Sequence, residues 1–440
     1  MKRRMTIFCL LIVAALLLGG CVVQTVDQLY QLPKRSEAYN NLQSAMDSAM
    51  AGLEYSAPLT GENQQTVQMA DLDGDGEQEY LLFARGGSER PLRILIFRKQ
   101  DGAYVHADTV ESNGSAFDQV EYVQMDGTGG MELVVGRQLN DQVLRSVSVY
   151  SFVNGEAEQL VTANYTKFLT TDLDGDGHSE LFVLRLGEAE EESGVAELYA
   201  IRGGVMEKSN EVSMSASAEK LKRVIVGQLH GGQAAVYAAS AVGDTAIITD
   251  VFALQQDMLI NVTFSNETGT SVQTLRNYYV YADDVDSDGV VELPAQITMV
   301  PLDEALSMER QNLLRWYAMT INGDEVDKMY TYHNFVGRWY LELSNDVASR
   351  ITVLRQGNYY EFYLWDEAGE TTGKLLTIFA LTGQNREEQA ASENRFVLLR
   401  TDSAVYAASL EAGAESYGFT QERLIDSFHL IYQDWKTGET

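Results

Sequence analysis

Three short acidic segments place carboxylates at alternating positions, where they could bind a metal ion. Each has an acidic residue at positions 1, 3, 5 and 9 and a glycine at position 6; the sequences are DLDGDGEQE, DLDGDGHSE and DVDSDGVVE. Alternate carboxylates can turn inward in a tight loop, and glycine permits the sharp bend. Hard oxygen donors in this number suit Ca²⁺ better than Mg²⁺, which requires a strict octahedron and keeps its waters.

We therefore predict about three structural Ca²⁺ sites, in which position 7 contributes only its backbone carbonyl. The predicted ligands are Asp71, Asp73, Asp75, Glu77 and Glu79; Asp172, Asp174, Asp176, His178 and Glu180; and Asp284, Asp286, Asp288, Val290 and Glu292.

Two other interpretations of these segments are an EF-hand and a plain turn. An EF-hand needs a bidentate Glu at position 12, which here falls on Leu82, Val183 and Ala295. Asp-Gly clusters are also common in turns without metal. The repetition of the three segments in register favours calcium over a plain turn. The charge of each segment also favours calcium, because four carboxylates within nine residues would oppose folding without a cation.

The acidic segments belong to a longer repeat. Weaker copies start at Gln124, which keeps only Asp126 and Glu132 as carboxylates, and at Gln228, which contains His230. We expect both to be empty of metal. Starts at 71, 124, 172, 228 and 284 are about fifty residues apart, a spacing typical of stacked or radial arrays. Each unit also contains further apolar strands and tight turns, which predicts a mainly β, propeller-like array of about five four-stranded blades.

These units resemble the FG-GAP and VCBS-type repeats, like those in the propeller of integrin α subunits. The resemblance covers roughly residues 65–335. It implies that the D-x-D-x-D-G-x-x-D loop joins two strands of one blade and binds Ca²⁺. The Phe-Gly and Gly-Ala-Pro landmarks of the family are absent, and the ninth loop position is Glu here rather than the more usual Asp.

The N-terminus has the features of an export signal. Lys2, Arg3 and Arg4 precede an apolar run from Met5 to Leu18, which is too short to cross a bilayer. The following LGGC resembles the lipobox of bacterial lipoproteins. We predict cleavage after residue 20, lipidation of Cys21, and anchoring on the extracytoplasmic face of the cell membrane. The alternative is an ordinary cleaved signal with a chance cysteine.

The composition limits the partners. Cleavage would reduce the 32 basic residues to 29 against 64 acidic ones, a net charge of −35. Such a surface repels nucleic acid and anionic lipid, so we predict neither as a partner. The two cysteines are Cys9 and Cys21, so the mature chain would have no disulfide.

Flanking segments complete the predicted organisation. Residues 1–20 are the signal, 21–35 a tether, 36–53 an amphipathic helix, 55–335 the repeat domain, and 336–440 a small α+β domain that ends in a helix over Thr420–Trp435. The last domain could instead add a blade. Its aromatic strand Tyr359–Trp365 could line a sugar-binding face, although strand alternation assigns half of these rings to the core.

No catalytic motif is recognisable, and the five histidines (His106, His178, His230, His333 and His429) are scattered. We therefore predict a surface-anchored, calcium-stabilised, non-catalytic binding or scaffold lipoprotein with a protein or glycan ligand. The alternative is an extracellular carbohydrate-active enzyme built on a propeller. A third possibility is a sensor of the cell envelope.

Overall fold

A computed structural model describes residues 37–139, 144–153, 155–187, 193–278, 280–302, 312–366, 368–392 and 394–431. Cys21, the signal and the tether lie outside these residues. The described chain is mainly β and propeller-like, which confirms the predicted fold class. It contains no helix that is both long and apolar enough to cross a membrane.

The first four sheets are antiparallel and are formed by consecutive strands. Sheet 1 contains β1 Glu54–Tyr55, β2 Val67–Ala70, β3 Glu79–Arg85, β4 Leu92–Gln100 and β5 Ala103–Ser112. Sheet 2 contains β6 Ala116–Val123, β7 Glu132–Gln138, β8 Arg145–Val153 and β9 Glu156–Tyr165. Sheet 3 contains β10 Lys167–Thr171, β11 Glu180–Arg185, β12 Val195–Arg202 and β13 Val205–Ser213. Sheet 4 contains β14 Leu221–Gln228, β15 Ala234–Val242, β16 Ala246–Gln255 and β17 Met258–Asn261.

The C-terminal third adds two five-stranded sheets and three short helices. Sheet 5 contains β18 Glu292–Ile297, β19 Leu313–Met319, β20 Glu325–Asn334, β21 Trp339–Leu343 and β27 Phe428–Leu430. Sheet 6 contains β22 Ile351–Gln356, β23 Tyr359–Trp365, β24 Thr371–Thr382, β25 Phe396–Arg400 and β26 Ala404–Leu410. The helices are α1 Glu37–Ala49, near the start of the described chain, and α2 Asn345–Ala348, α3 Arg386–Ala390 and α4 Gln421–Ser427.

Successive sheets pack face to face. The side chains of a strand alternate between its two faces, so an inner sheet can pack against a neighbour on each side. Phe83 packs edge-on against Phe117 of sheet 2, with ring centroids 5.1 Å apart. Its neighbour Leu82 points to the opposite face and packs under Leu42 and Met46 of α1. The inner strands are therefore buried on both faces, as β16 shows along nearly its whole length.

Helices cover both ends of this stack. The helix α1 covers sheet 1, while the outer face of sheet 6 packs against Ala390 of α3. Among the described residues, no core cluster joins sheet 1 directly to sheet 6. The predicted helix over 36–53 packs against the β domain as expected, but it ends at Ala49, because the chain turns at Gly52, where φ is +79°.

Two predicted boundaries in the C-terminal third are wrong. The division at residue 335 falls between β20 and β21, which pair over Tyr330–Asn334 and Trp339–Leu343. The helix predicted over Thr420–Trp435 ends at Ser427, because the next three residues pair with Trp339–Leu341 as β27. Residues 432–435 lie outside the described chain.

Candidate metal centre

The three intact acidic segments all lie at strand starts. Loop 1 (residues 71–79) joins β2 to β3, loop 2 (172–180) joins β10 to β11, and loop 3 (284–292) leads into β18. The degenerate loop (124–132) joins β6 to β7 in the same way. None of these four loops has flanking helices, which agrees with the rejection of an EF-hand.

Each intact loop brings carboxylates together. In loop 2, one oxygen from each of Asp172, Asp174, Asp176 and Glu180 lies within 4.8 Å of the others. Loops 1 and 3 bring together three carboxylates each on the same criterion, and Asp75 and Asp288 are not among them. The three-carboxylate groups are Asp71, Asp73 and Glu79, and Asp284, Asp286 and Glu292.

The aspartate at position 1 shapes the loop by accepting backbone hydrogen bonds. The two oxygens of Asp172 accept from the amides of Gly175 and Gly177 at 2.7 and 2.9 Å. Asp71 binds Gly74 and Gly76 in the same way at 2.8 and 3.0 Å. Such internal bonds form the tight turn and still leave lone pairs on the carboxylate, because each oxygen has two.

The glutamate at position 9 is buried and bridges the loop. One oxygen of Glu180 accepts from the amide of Leu173, at position 2, over 2.8 Å. Glu79, Glu292 and even Glu132 of the degenerate loop make the same bond, at 2.8, 3.1 and 2.9 Å. The longer side chain of Glu spans the loop, which gives a structural reason for Glu at a position where the resemblance predicts Asp.

Burial makes these glutamates hard to ionise without a cation. It raises the pKa of Glu79, Glu180 and Glu292 from 4.5 to about 7; the loop amide opposes the shift and the neighbouring aspartates add to it. Burial also raises the pKa of Asp174. In addition, the Oε1 atom of Glu292 is fully buried and has no hydrogen-bond partner. In loops 1 and 2 a bound cation would supply the positive charge that these glutamates lack, whereas in loop 3 the ammonium of Lys328 lies 3.9 Å from Glu292 Oε1 and opposes the rise in its pKa.

The residues at position 7 differ in their surroundings. The carboxylate of Glu77 pairs with Lys99 at 3.0 Å, outside the carboxylate group of loop 1. The His178 ring lies against Gly127 of the degenerate loop, where an added Cβ would be 3.0 Å from it. Val290 donates its amide to Asp288 at 2.8 Å. The side chains of Glu77 and His178 thus have contacts outside the carboxylate groups of their own loops.

The degenerate loop satisfies its own polar groups. Asp126 accepts from both the amide and the hydroxyl of Thr128, at 2.9 and 2.7 Å. Thr128 replaces the aspartate that position 5 has in the intact loops, so the repulsion that a cation would relieve is smaller here.

Neighbouring copies are linked by a repeated hydrogen bond. The amide at position 8 donates to the carbonyl at position 1 of the preceding copy: Met131 to Asp71 at 3.0 Å, Ser179 to Gln124 at 2.9 Å, and Val291 to Gln228 at 3.0 Å. These bonds join three of the four successive pairs of copies; among the described residues, no such bond joins the copies that start at 172 and 228. In sequence order, intact and degenerate copies alternate. The sequence spacing predicted equivalent positions, but no sequence signal indicated these bonds.

Two cavities lie near titratable side chains. One of about 500 Å³, at the ends of sheets 2 and 3 away from the loops, is lined by Arg145, Tyr165, Arg185, Glu197 and Tyr199. Arg185 and Tyr199 both bind Glu197, at 2.9 and 2.8 Å, so this carboxylate is paired within the cavity wall, while Arg145 pairs with Asp118 at 3.6 Å.

The second cavity, of about 320 Å³, borders loop 3 and is lined by Tyr281, Trp316, His333 and Tyr340 together with Asp283 and Asp284. Burial lowers the pKa of His333 to about 3, so this ring is neutral at physiological pH. A base with so low a pKa is poorly matched to proton transfer near neutrality.

Comparisons with known proteins show no close relative. No protein-family model matches the chain, and no curated protein sequence is significantly similar to it. Similar solved structures include the rhamnogalacturonan lyases YesW and YesX. YesW is 16% identical to this chain with a TM-score of 0.27, and the match covers 72% of this chain and 74% of YesW. YesX is 14% identical with a TM-score of 0.28, and the match covers 82% of this chain and 76% of YesX.

A Bacillus licheniformis rhamnogalacturonan lyase has 16% identity and a TM-score of 0.29, covering 72% of this chain and 71% of its own. These values are too low to support any inference about function.

Proposed function

We propose that this chain is a lipid-anchored, extracytoplasmic binding or scaffold protein whose sheets are stabilised by Ca²⁺ at loops 1 and 2. The convergence of Asp172, Asp174, Asp176 and Glu180 within 4.8 Å is the main support. Loop 3 differs, because Lys328 of β20 lies among its carboxylates.

The proposed role of Ca²⁺ is structural. Each loop is continuous with a central strand, and Glu180 begins β11, which is buried over most of its length. A cation that binds the four carboxylates would fix the loop to the strand and remove the repulsion among them. The chemistry of the site is ligation only, and the ligands offered are hard oxygens.

The LGGC sequence supports the lipid anchor. The expected ligand is a protein or a glycan. The aromatic cavity beside loop 3 supports a glycan, because apolar and aromatic walls with a few polar groups are typical of small-ligand sites. In the second candidate function, an extracellular carbohydrate-active enzyme, the same cavity would hold the sugar, but His333 is poorly matched to transfer a proton there.

Thermal unfolding in EGTA, Ca²⁺ and Mg²⁺ tests the calcium part of this proposal. Extracellular calcium modules bind with Kd on the order of 10⁻⁴–10⁻³ M, so millimolar Ca²⁺ should stabilise by about 1 kcal/mol per site. We expect EGTA to lower the melting temperature and Ca²⁺ to restore it much better than Mg²⁺. Identical melting curves in all three conditions would refute structural calcium.

A further inference from the structure

Loop 3 differs from loops 1 and 2 because a lysine ammonium lies among its carboxylates. Lys328, on β20, places its Nζ 3.8 Å from Asp286 Oδ2 and 3.9 Å from Glu292 Oε1. The same ammonium donates a hydrogen bond to Asp288. It therefore reaches three of the four acidic side chains that the sequence assigned to a Ca²⁺ ion.

The sheet register shows that this lysine has no counterpart at the other intact loops. In sheet 5, Leu293 pairs with Tyr317 and Tyr317 with Asp327, and Lys328 is the bulged residue that follows. In sheet 1 the corresponding pairs are Tyr80 with Phe97 and Phe97 with His106, so the residue at the position of Lys328 is Ala107. In sheet 3 they are Leu181 with Tyr199 and Tyr199 with Lys208, so the residue at that position is Ser209.

Ala107 and Ser209 are half-buried, as Lys328 is, but they are short and uncharged. Within the described chain, no lysine or arginine forms an ion pair with Asp71, Asp73 or Glu79, or with the four carboxylates of loop 2. Arg202 and Lys99 act on Asp174 and Asp75 only from beyond ion-pair distance. Loops 1 and 2 thus retain a place for a cation among their carboxylates, where loop 3 has the ammonium of Lys328.

The buried oxygen of Glu292 indicates where that cation lies. Glu292 is fully buried; its Oε2 accepts from Val285, while Oε1 has no hydrogen-bond partner. The nearest positive charge is the ammonium of Lys328, 3.9 Å away. An unpaired buried carboxylate is costly, so its interaction with a tethered ammonium matters for the loop.

We infer that Lys328 is a built-in cation that takes the place of Ca²⁺ in loop 3, so that this loop is ordered without metal while loops 1 and 2 require it. This inference deepens the proposed function and rests on it for the role of calcium in the other two loops. It also revises the predicted number of sites, since loop 3 would not bind an ion in the wild-type chain. A Ca²⁺ ion placed 2.3–2.6 Å from the same oxygens would have to displace the ammonium.

The test is calcium stoichiometry of the full-length chain, measured by equilibrium dialysis with Ca²⁺ as the probe. We expect the wild type to bind two ions and Lys328→Met to bind a third. Lys99→Met is the matched control, because Lys99 pairs with Glu77 outside the carboxylate group of loop 1; it should leave the stoichiometry unchanged. A wild type that binds three ions, or a folded Lys328→Met variant that still binds two, would overturn the inference.

A transplanted lysine keeps the inference testable if Lys328→Met does not fold. Ser209→Lys places an ammonium at the equivalent position beside loop 2 and should cost the chain one bound ion. Unchanged binding by a folded Ser209→Lys variant would count against the inference.

Melting in EGTA separates this inference from the proposed function. Lys328→Met should melt below the wild type there, because loop 3 has lost its neutralising charge, and Lys99→Met should not. If the wild type binds no Ca²⁺ but Lys328→Met is destabilised in EGTA, the calcium proposal fails and the role of Lys328 stands. If the wild type binds three ions, the calcium proposal stands and the role of Lys328 fails.

Discussion

Glu180 combines two roles that can be separated by substitution. One oxygen holds the Leu173 amide, while the carboxylate also contributes charge to the group formed with Asp172, Asp174 and Asp176. Glu132 makes the same backbone bond to Met125 in the degenerate loop but has only Asp126 as an acidic loop partner. The two positions therefore share their structural role and differ in the proposed metal role.

Glu180→Gln should keep the loop but lose its ion. Glutamine can still accept from the Leu173 amide, whereas the lost negative charge weakens Ca²⁺ binding. We expect one fewer bound ion by calorimetry and a loss of about 1 kcal/mol in calcium-dependent stabilisation. Glu132→Gln is the matched control and should lose none; equal losses from both variants would show that the loops were assigned wrongly.

The raised glutamate pKa values predict how stability depends on pH. Glu79, Glu180 and Glu292 shift from 4.5 to about 7 on folding, mainly through burial. A group whose folded pKa is raised contributes stability that is complete below about pH 4.5 and is lost as the pH rises through about 7.

The metal-free melting temperature should therefore fall between about pH 5 and 8, and Ca²⁺ should oppose this fall, because the metal needs the deprotonated carboxylates. Melting curves in EGTA and in Ca²⁺ across this range test the prediction. Calcium stabilisation that is constant from pH 5 to 8 would contradict it.

At the scale of elements, β27 closes sheet 5 with residues far along the chain. Phe428 is buried and packs against Trp339 and Tyr406, with ring centroids 5.2 and 5.1 Å away. Tyr406 belongs to sheet 6, so the Phe428 side chain joins the two sheets in one core.

Phe428→Ala should destabilise the protein by about 3–5 kcal/mol, because it removes a buried ring and leaves a cavity. Ile425→Ala is the control, because the Ile425 side chain on α4 is 39% exposed; it should cost less than about 1 kcal/mol. Urea denaturation followed by fluorescence would measure both. Similar small losses would show that β27 contributes little to the core.

Local patterns predicted the strands well and the long-range pairings poorly. The strand predicted over Tyr359–Trp365 is β23 with the same bounds, because alternation and flanking turns are local signals. The strand Phe428–Leu430 was read as helix, since its partner Trp339–Leu341 lies almost ninety residues away.

The sequence predicted which loops bring carboxylates together, although Asp75 and Asp288 lie outside the converging groups, and it did not indicate Lys328. The loop ligands are close in sequence, so their spacing alone indicates a site. Lys328 lies on β20, which is separated from β18 by one strand of sheet 5. Only the register of β18, β19 and β20 brings its ammonium to loop 3. The alternation of intact and degenerate copies was visible in the sequence, but the hydrogen bonds that connect them were not.

At the scale of the whole molecule, the proposed anchor determines where the stack would lie. The helix α1, which covers sheet 1, follows the proposed tether in sequence. A net charge of −35 after cleavage would keep the stack away from anionic headgroups, so attachment would depend on the acyl chains.

Cys21→Ser should abolish lipidation and leave the protein released or unprocessed. Metabolic labelling with a fatty-acid analogue measures this directly, and we expect label on the wild type and none on the variant. Absence of label on the wild type would refute the lipoprotein assignment.

The pairing of β27 with β21 also sets an order of assembly during synthesis. Domains generally fold as the chain emerges, starting from the N-terminus, and sheets 1 to 4 each consist of consecutive strands. Sheet 5 is different, because the whole of sheet 6 is translated between β21 and β27. The nascent chain would therefore carry an open edge at Trp339–Leu343 until residue 430 leaves the ribosome, and this interval is when the edge is most exposed to pairing with another chain.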